Sequence, residues 1–132
     1  DLLHILLAED NELNMEIAEF VIQNEGASVT KAWNGQEAVE IFKKSRPDEL
    51  DVILMDIMMP IKNGYEAAKM IRALDRDDAK TVPIIAMTAN AFTEDRLKSK
   101  ESGMNEHIAK PIDAKLLVKV ISEFVENKEE DS

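Results

Sequence analysis

Short apolar runs alternate along this chain with stretches of helical periodicity. The runs are Ile5-Leu6-Leu7-Ala8, Ala27-Ser28-Val29-Thr30, Val52-Ile53-Leu54-Met55, Pro83-Ile84-Ile85-Ala86-Met87 and His107-Ile108-Ala109. Most lack polar alternation, the pattern of strands covered on both faces. Between them lie helical stripes: Leu13, Ile17, Phe20 and Val21; Ala38, Ile41 and Phe42; Ala67, Ile71 and Leu74; and a wide one of Leu116, Leu117, Val120, Ile121, Phe124 and Val125. Each is the kind of stripe a helix turns towards a core. The segment 91–102 has only Phe92 and Leu97 as large apolar residues and is expected to form a weakly docked, mobile helix.

The punctuation fits these elements. Asn34 with Glu37, and Asn63 with Glu66, have capping-box spacing. Gly26 and Gly103 stand where helices should stop. Asp113, two residues after Pro111, can cap the last helix. The outcome is five βα units, which imply an α/β fold with a parallel sheet and helices on both faces. The natural five-strand solution is the doubly wound, flavodoxin-like order 2-1-3-4-5, with its ligand crevice at the carboxyl ends of strands 1 and 3.

Composition narrows the function. The 132 residues make one domain, and 45% hydrophobic content is enough for a core. Sixteen Lys and Arg against 27 Asp and Glu leave a net charge of −11. That argues against nucleic acid and against direct contact with an anionic membrane, both of which are bound through clustered cations. No apolar run approaches the roughly 18 residues of a membrane span. With no Cys, zinc-thiolate sites are excluded; two separated His argue against an all-imidazole site, and a cytoplasmic setting is expected. The domain is placed at 1–126, with 127–132 as an acidic tail or linker. A start at Asp1 rather than Met is expected of a piece of a longer chain. Trp33 is assigned to packing, and Met55, Met70 and Met87 to core filling.

The polar residues at the strand ends carry the chemistry. Glu9 and Asp10 end strand 1, Asp56 strand 3, Thr88 strand 4 and Lys110 strand 5. All fall at one edge of the predicted sheet. Three carboxylates and one ammonium sum to about −2 when ionised. A hard divalent cation such as Mg2+ relieves that repulsion and leaves positions open for a phosphoryl oxygen. Phosphoryl transfer needs an in-line nucleophile and cations on the phosphoryl oxygens, and a carboxylate can be that nucleophile. Asp56, on the central strand, is the best acceptor. Glu9 and Asp10 then position Mg2+, and Lys110 and Thr88 contact the phosphoryl oxygens. Taken singly, each residue has a bland reading as a cap, turn or surface charge; together at one edge they point to a site.

At this point the chain resembles the receiver domain of two-component response regulators. The matching residues are Leu7-Ala8-Glu9-Asp10-Asn11, Leu54-Met55-Asp56-Ile57-Met58-Met59-Pro60 with Asn63-Gly64, Met87-Thr88-Ala89, and Ala109-Lys110-Pro111. The resemblance runs from about Ile5 to Val125. It implies that Asp56 accepts phosphate from a phosphohistidine. It implies Asp10 as a direct Mg2+ ligand, Glu9 as a largely water-mediated one and the Met58 backbone carbonyl as another. It implies phosphoryl contacts from Thr88 and Lys110, and a cis bond before Pro111. Met58 and Asn90 stand at positions that tune dephosphorylation in this family. His107 replaces the usual Tyr or Phe of a switch pair with the Thr, so it is read either as a switch residue or as a solvent-facing edge-strand residue. The stretches Met87–Phe92 and Gly103–Asp113 look like receivers of hybrid sensor histidine kinases. The implied partners are a histidine kinase dimerisation domain, possibly of the same parent chain, and a histidine phosphotransfer protein. The domain is expected to be a monomer or weak dimer, within the cytoplasmic part of a membrane-anchored kinase if so fused. The resemblance implies a domain that catalyses its own phosphorylation and dephosphorylation rather than a free-standing enzyme, with a hybrid histidine kinase as a candidate parent chain.

Other classes fit less well. A haloacid-dehalogenase-like phosphatase wants a second Asp two residues after the nucleophile, where Met58 stands. An inert receiver-like module would lack the acidic pair, Asp56 or Lys110. A flavodoxin would not place Glu9-Asp10-Asn11-Glu12 where FMN phosphate must bind.

Overall fold

A computed structural model describes residues 3–89 and 96–131. The strands are β1 His4–Ala8, β2 Ser28–Ala32, β3 Val52–Asp56, β4 Ile84–Thr88 and β5 Glu106–Ala109. The helices are α1 Glu12–Asn24, α2 Gly35–Lys44, α3 Gly64–Arg72, α4 Asp77–Thr81, α5 Arg96–Glu101 and α6 Ala114–Asp131. The five strands form one parallel sheet in the order β2-β1-β3-β4-β5.

Strand pleating divides the core in two, because successive side chains leave a strand on opposite faces. Leu6, Ile53, Met55, Ile84 and Ala86 point to one side and pack with Phe42 of α2 and Ala67 and Ile71 of α3. Ile5, Leu7, Leu54, Ile85, Met87 and Ile108 point to the other and pack with Met15, Ala18 and Ile22 of α1 and Leu117, Val120 and Ile121 of α6. β3 and β4 are buried along their whole length, as expected of central strands. The edge strand β2 is half-buried to exposed until Ala32, so its covering is one-sided.

The caps largely follow the sequence. Asn63 and Glu66 close a complete capping box on α3. Asn34 accepts from the Glu37 amide, while the Glu37 carboxylate accepts from the Trp33 amide at 3.0 Å and from the Asn34 side-chain amide at 3.4 Å rather than from the Asn34 backbone. Asp113 accepts from the amides of Lys115 and Leu116 at the start of α6. Gly26 and Gly103 have φ of 88° and 98°, left-handed values that suit a residue without Cβ.

Three expectations are corrected. On α1 the buried face is Met15, Ala18 and Ile22, while Leu13, Ile17 and Phe20 are exposed by 64%, 40% and 70%. The helix lies against the sheet through the small Ala18, and the bulkier stripe is turned outward. Met70 and Trp33 are likewise exposed, whereas Met55 and Met87 fill the core as read. A short extra helix, α4, stands between α3 and β4; it buries only Ala79 and so has no apolar stripe to announce it. α6 runs through Asp131, past Asn127. No Gly or Pro interrupts that stretch, and its Glu and Lys residues are good helix formers. Among the described residues of α5, Ser99 is buried and Leu97 exposed, in keeping with a weakly docked helix; Ser102, just after it, is buried too. Phe92 and the Val125 side chain lie outside the described residues.

Candidate functional site

Strand register assembles the site. Ala8 pairs with Met55, so Glu9 and Asp56 emerge side by side from adjacent parallel strands. Asp56 pairs with Met87, and Thr88 with Ala109, which carries the same edge across to Thr88 and Lys110. Carboxylate oxygens of Glu9, Asp10 and Asp56 all lie within 4.8 Å of one another. Glu9 and Asp56 are buried; Asp10 is exposed and forms the outer lip.

Lys110 ties the buried pair together. Its Nζ donates to Asp56 Oδ2 at 3.1 Å and to Glu9 Oε2 at 3.2 Å. The remaining oxygens accept from the backbone: Asp56 Oδ1 from the Met58 amide at 3.3 Å and Glu9 Oε1 from the Asn11 amide at 3.1 Å. Asn11 in turn caps α1 by accepting from the Asn14 amide at 2.9 Å. Burial raises the Asp56 carboxyl from an ordinary 3.8 to about 6, with the neighbouring Glu9 charge adding and Lys110 opposing. Burial depresses Lys110, but its hydrogen bond and ion pairs with Asp56 and Glu9 outweigh that, so its net shift is upward.

The loop after β3 is pinned against the end of β3. The Gly64 amide donates to Ile57 O at 2.9 Å, and a Cβ on Gly64 would come within 2.4 Å of Asp56 O. Only glycine lets α3 begin this close. Met58 and Ile61, on the same loop, are exposed by 74% and 78%. Thr88 is buried at the end of β4, and its carbonyl accepts from the Lys110 amide at 2.8 Å. The Lys110–Pro111 bond is cis.

His107 does not face solvent. It is half-buried, and its Nε2 lies 2.6 Å from Oγ of the buried Ser99 on α5. Lys98, beside Ser99, sits over the Tyr65 ring of α3, 4.7 Å from its centre. Ser99 was not singled out in the sequence: it is eight residues before His107, and only the fold shows the two meeting. Asn90 lies outside the described residues.

These features define a doubly wound α/β domain with a buried acidic pocket at its switch point. Residues 5–122 match the family model described as the response regulator receiver domain. The chain belongs to the response regulator receiver domain family. It is 38% identical over 120 residues to hybrid signal transduction histidine kinase I of Dictyostelium discoideum, a match covering 89% of this chain and 7% of that protein. The chain spans only 5% to 12% of the length of the first histidine kinases it matches. Among solved structures it is similar to the receiver domain of sensor histidine kinase PA1611 from Pseudomonas aeruginosa PAO1, which has a magnesium ion coordinated in its active-site cleft. That likeness has a TM-score of 0.84 and 36% identity, and covers 95% of this chain and 98% of the other. It is also similar to the co-crystal structure of the Saccharomyces cerevisiae histidine phosphotransfer protein Ypd1 with the receiver of its downstream response regulator Ssk1. There the TM-score is 0.79 and the identity 33%, covering 93% of this chain and 88% of the matched one.

Proposed function

We propose that this domain takes a phosphoryl group from a phosphohistidine onto Asp56 and works within a two-component phosphorelay. One observation carries the reading: a buried Asp56 carboxylate shares Lys110 with Glu9 and clusters with Glu9 and Asp10. Three carboxylates against one ammonium leave an excess of negative charge in a site where burial already disfavours it. An oxygen-only, acidic donor set of this kind suits Mg2+. Asp10, Asp56 and the Met58 carbonyl would hold the ion directly, and Glu9 largely through water. When bound, Mg2+ supplies positive charge against the phosphoryl oxygens.

The chain's own residues do the rest. An ionised Asp56 oxygen attacks phosphorus in line. The new O–P bond forms as the P–N bond to the donor imidazole breaks, and the imidazole nitrogen keeps that electron pair. Lys110 favours the ionised Asp56 beforehand and donates to a phosphoryl oxygen afterwards. The Thr88 hydroxyl donates to another, drawing the end of β4 towards the phosphoryl group. Met58 and Asn90 tune hydrolysis, and the exposed thioether of Met58 positions water poorly.

The donor is a histidine kinase dimerisation domain, of this parent chain or another, or a histidine phosphotransfer protein. The complex of the related Ssk1 receiver with Ypd1 supports this choice. So does the surface here. Leu13, Ile17 and Phe20 give α1 an exposed apolar face, with Met58 and Ile61 exposed on the β3–α3 loop. Ile17 shares a cleft with Glu9 and Lys110, so this face runs up to the acidic pocket. We take 1–126 as the receiver unit of a hybrid histidine kinase, monomeric or weakly dimeric and cytoplasmic. No described helix is long and apolar enough to cross a membrane.

Incubation with acetyl phosphate or a phosphorylated histidine kinase, followed by intact-mass measurement, tests the assignment. One phosphoryl group is expected, dependent on Mg2+ and absent from Asp56→Ala. Undiminished labelling of that variant would overturn the role of Asp56.

A further inference from the structure

At the pole opposite Asp56, beside the amino ends of β4 and β5, a groove of about 610 Å3 is lined by Arg72, Lys80 and Lys100 around Gly103, Met104 and Asn105. Three cations converge there in a protein whose net charge is −11. They come from the end of α3, from α4 and from the last turn of α5, eight and twenty residues apart in sequence.

Arg72 and Lys80 are held in place by neutral partners, while Lys100 is exposed. Arg72 donates to backbone oxygens of Gly103 and Ala79 at 2.8 and 3.1 Å, and to the Asn105 side-chain oxygen at 2.9 Å. Gly103 makes this possible, because a Cβ there would lie 2.7 Å from Arg72 Cγ. Lys80 donates to the Leu74 carbonyl at 2.9 Å and to the Arg72 carbonyl. All these acceptors are neutral. Among the described residues, no carboxylate lies within the 4.0 Å of an ion pair from Arg72, Lys80 or Lys100. Lys100 is exposed. The one acidic side chain of the lining, Glu106, is turned to the His107 amide at 2.8 Å.

We propose that this groove docks an acidic stretch of polypeptide, a run of Asp or Glu side chains from a partner protein. Charge complementarity selects the ligand: three cations against one lining carboxylate leave the groove net positive, so it attracts carboxylates locally, against the longer-range repulsion that a net charge of −11 exerts on an acidic partner. Its size selects a peptide segment over a single small anion, since three walls on separate elements leave room for several side chains. The proposal is independent of the Asp56 chemistry, because none of the three cations belongs to the acidic pocket.

The test uses a hexaglutamate peptide and the 15N-labelled chain. Saturable amide shifts are expected at Lys100, Gly103 and Asn105, weakening as salt is raised. Lys100→Glu should weaken binding by about tenfold or more, as expected when a like charge is set against the ligand. Lys43→Glu makes the same charge change in the last turn of α2, outside the groove, and should bind as the unaltered chain does. Equal losses in the two variants, or shifts scattered over the surface lysines, would overturn the proposal. An equal response to inorganic phosphate at the same charge concentration would overturn it too, by removing the preference for a peptide.

Discussion

Asp56 sits where its own charge is disfavoured, and that has a measurable consequence for stability. In an unfolded chain its carboxyl titrates near 3.8; in the folded, metal-free site it titrates near 6. The folded state therefore holds the proton more tightly. The associated stability is fully present below 3.8 and is lost as pH rises through about 6. With EDTA present, Asp56→Asn should raise the melting temperature at pH 8. The gain is up to ~3 kcal/mol from a shift of about two units, and it should fade below pH 4. A melting temperature unchanged across that range would remove the burial argument. Met58 invites a second measurement: Met58→Asn should shorten the lifetime of the phosphorylated domain, since a polar side chain there can orient water. Ile61 supplies a third. It is β-branched, exposed and held at φ 68°. Left-handed backbone costs such a residue roughly 1–2 kcal/mol. Ile61→Asn should thus stabilise the fold in urea denaturation by about 1 kcal/mol, yet slow phosphotransfer if Ile61 seats the donor.

Among the elements, α3 joins stability to the site. Its capping box satisfies amides at its amino end, and Gly64 brings that end against the Asp56 carbonyl. Asn63→Ala should cost about 1 kcal/mol in chemical denaturation, the usual worth of an amino-terminal cap. Gly64→Ala should do more harm to phosphorylation than to folding, because the Cβ would push on the acceptor strand itself. α5 works differently. Among its described residues Ser99 is buried and Leu97 exposed; Ser99 is bonded to His107, and Lys98 sits over the Tyr65 ring. Polar contacts of this size are each worth around 1 kcal/mol net, within what a modest signal can offset.

Across the whole molecule, Asp56 and α5 share a path through Thr88 and β5. Thr88 ends β4 and its carbonyl is bonded to the Lys110 amide; His107, three residues before Lys110, is bonded to α5. Phosphorylation should therefore reshape the face made by α5, β5 and α6. Moving a two-state equilibrium from mostly off to mostly on takes about 5.5 kcal/mol of differential interaction. Charge-assisted contacts from Thr88 and Lys110, at roughly 1.5–3 kcal/mol each, are of that order. Hydrogen exchange with and without a beryllofluoride mimic of the phosphoryl group should show changed protection in α5 and β5. Changes confined to the loops after β1 and β3 would mean that the domain does not signal through this face. A Thr88→Ala variant that binds the mimic and still shows the full change would take Thr88 out of the path.

The sequence alone determined the sheet, its strand order and the acidic edge. Those follow from short-range rules: apolar runs of strand length, caps at fixed spacing, and the handed connection of βα units that forces carboxyl ends to one side. Once Glu9, Asp56, Thr88 and Lys110 end their strands, the sheet has little freedom to separate them. Tertiary structure alone decided which of two stripes on α1 is buried, since both have helical spacing and only the closeness of the sheet favours the small Ala18 over the bulkier Leu13 and Phe20. It also decided that His107 meets Ser99, and that Arg72, Lys80 and Lys100 line one groove. Contacts like these depend on how separate elements pack, and no local period in the chain records them.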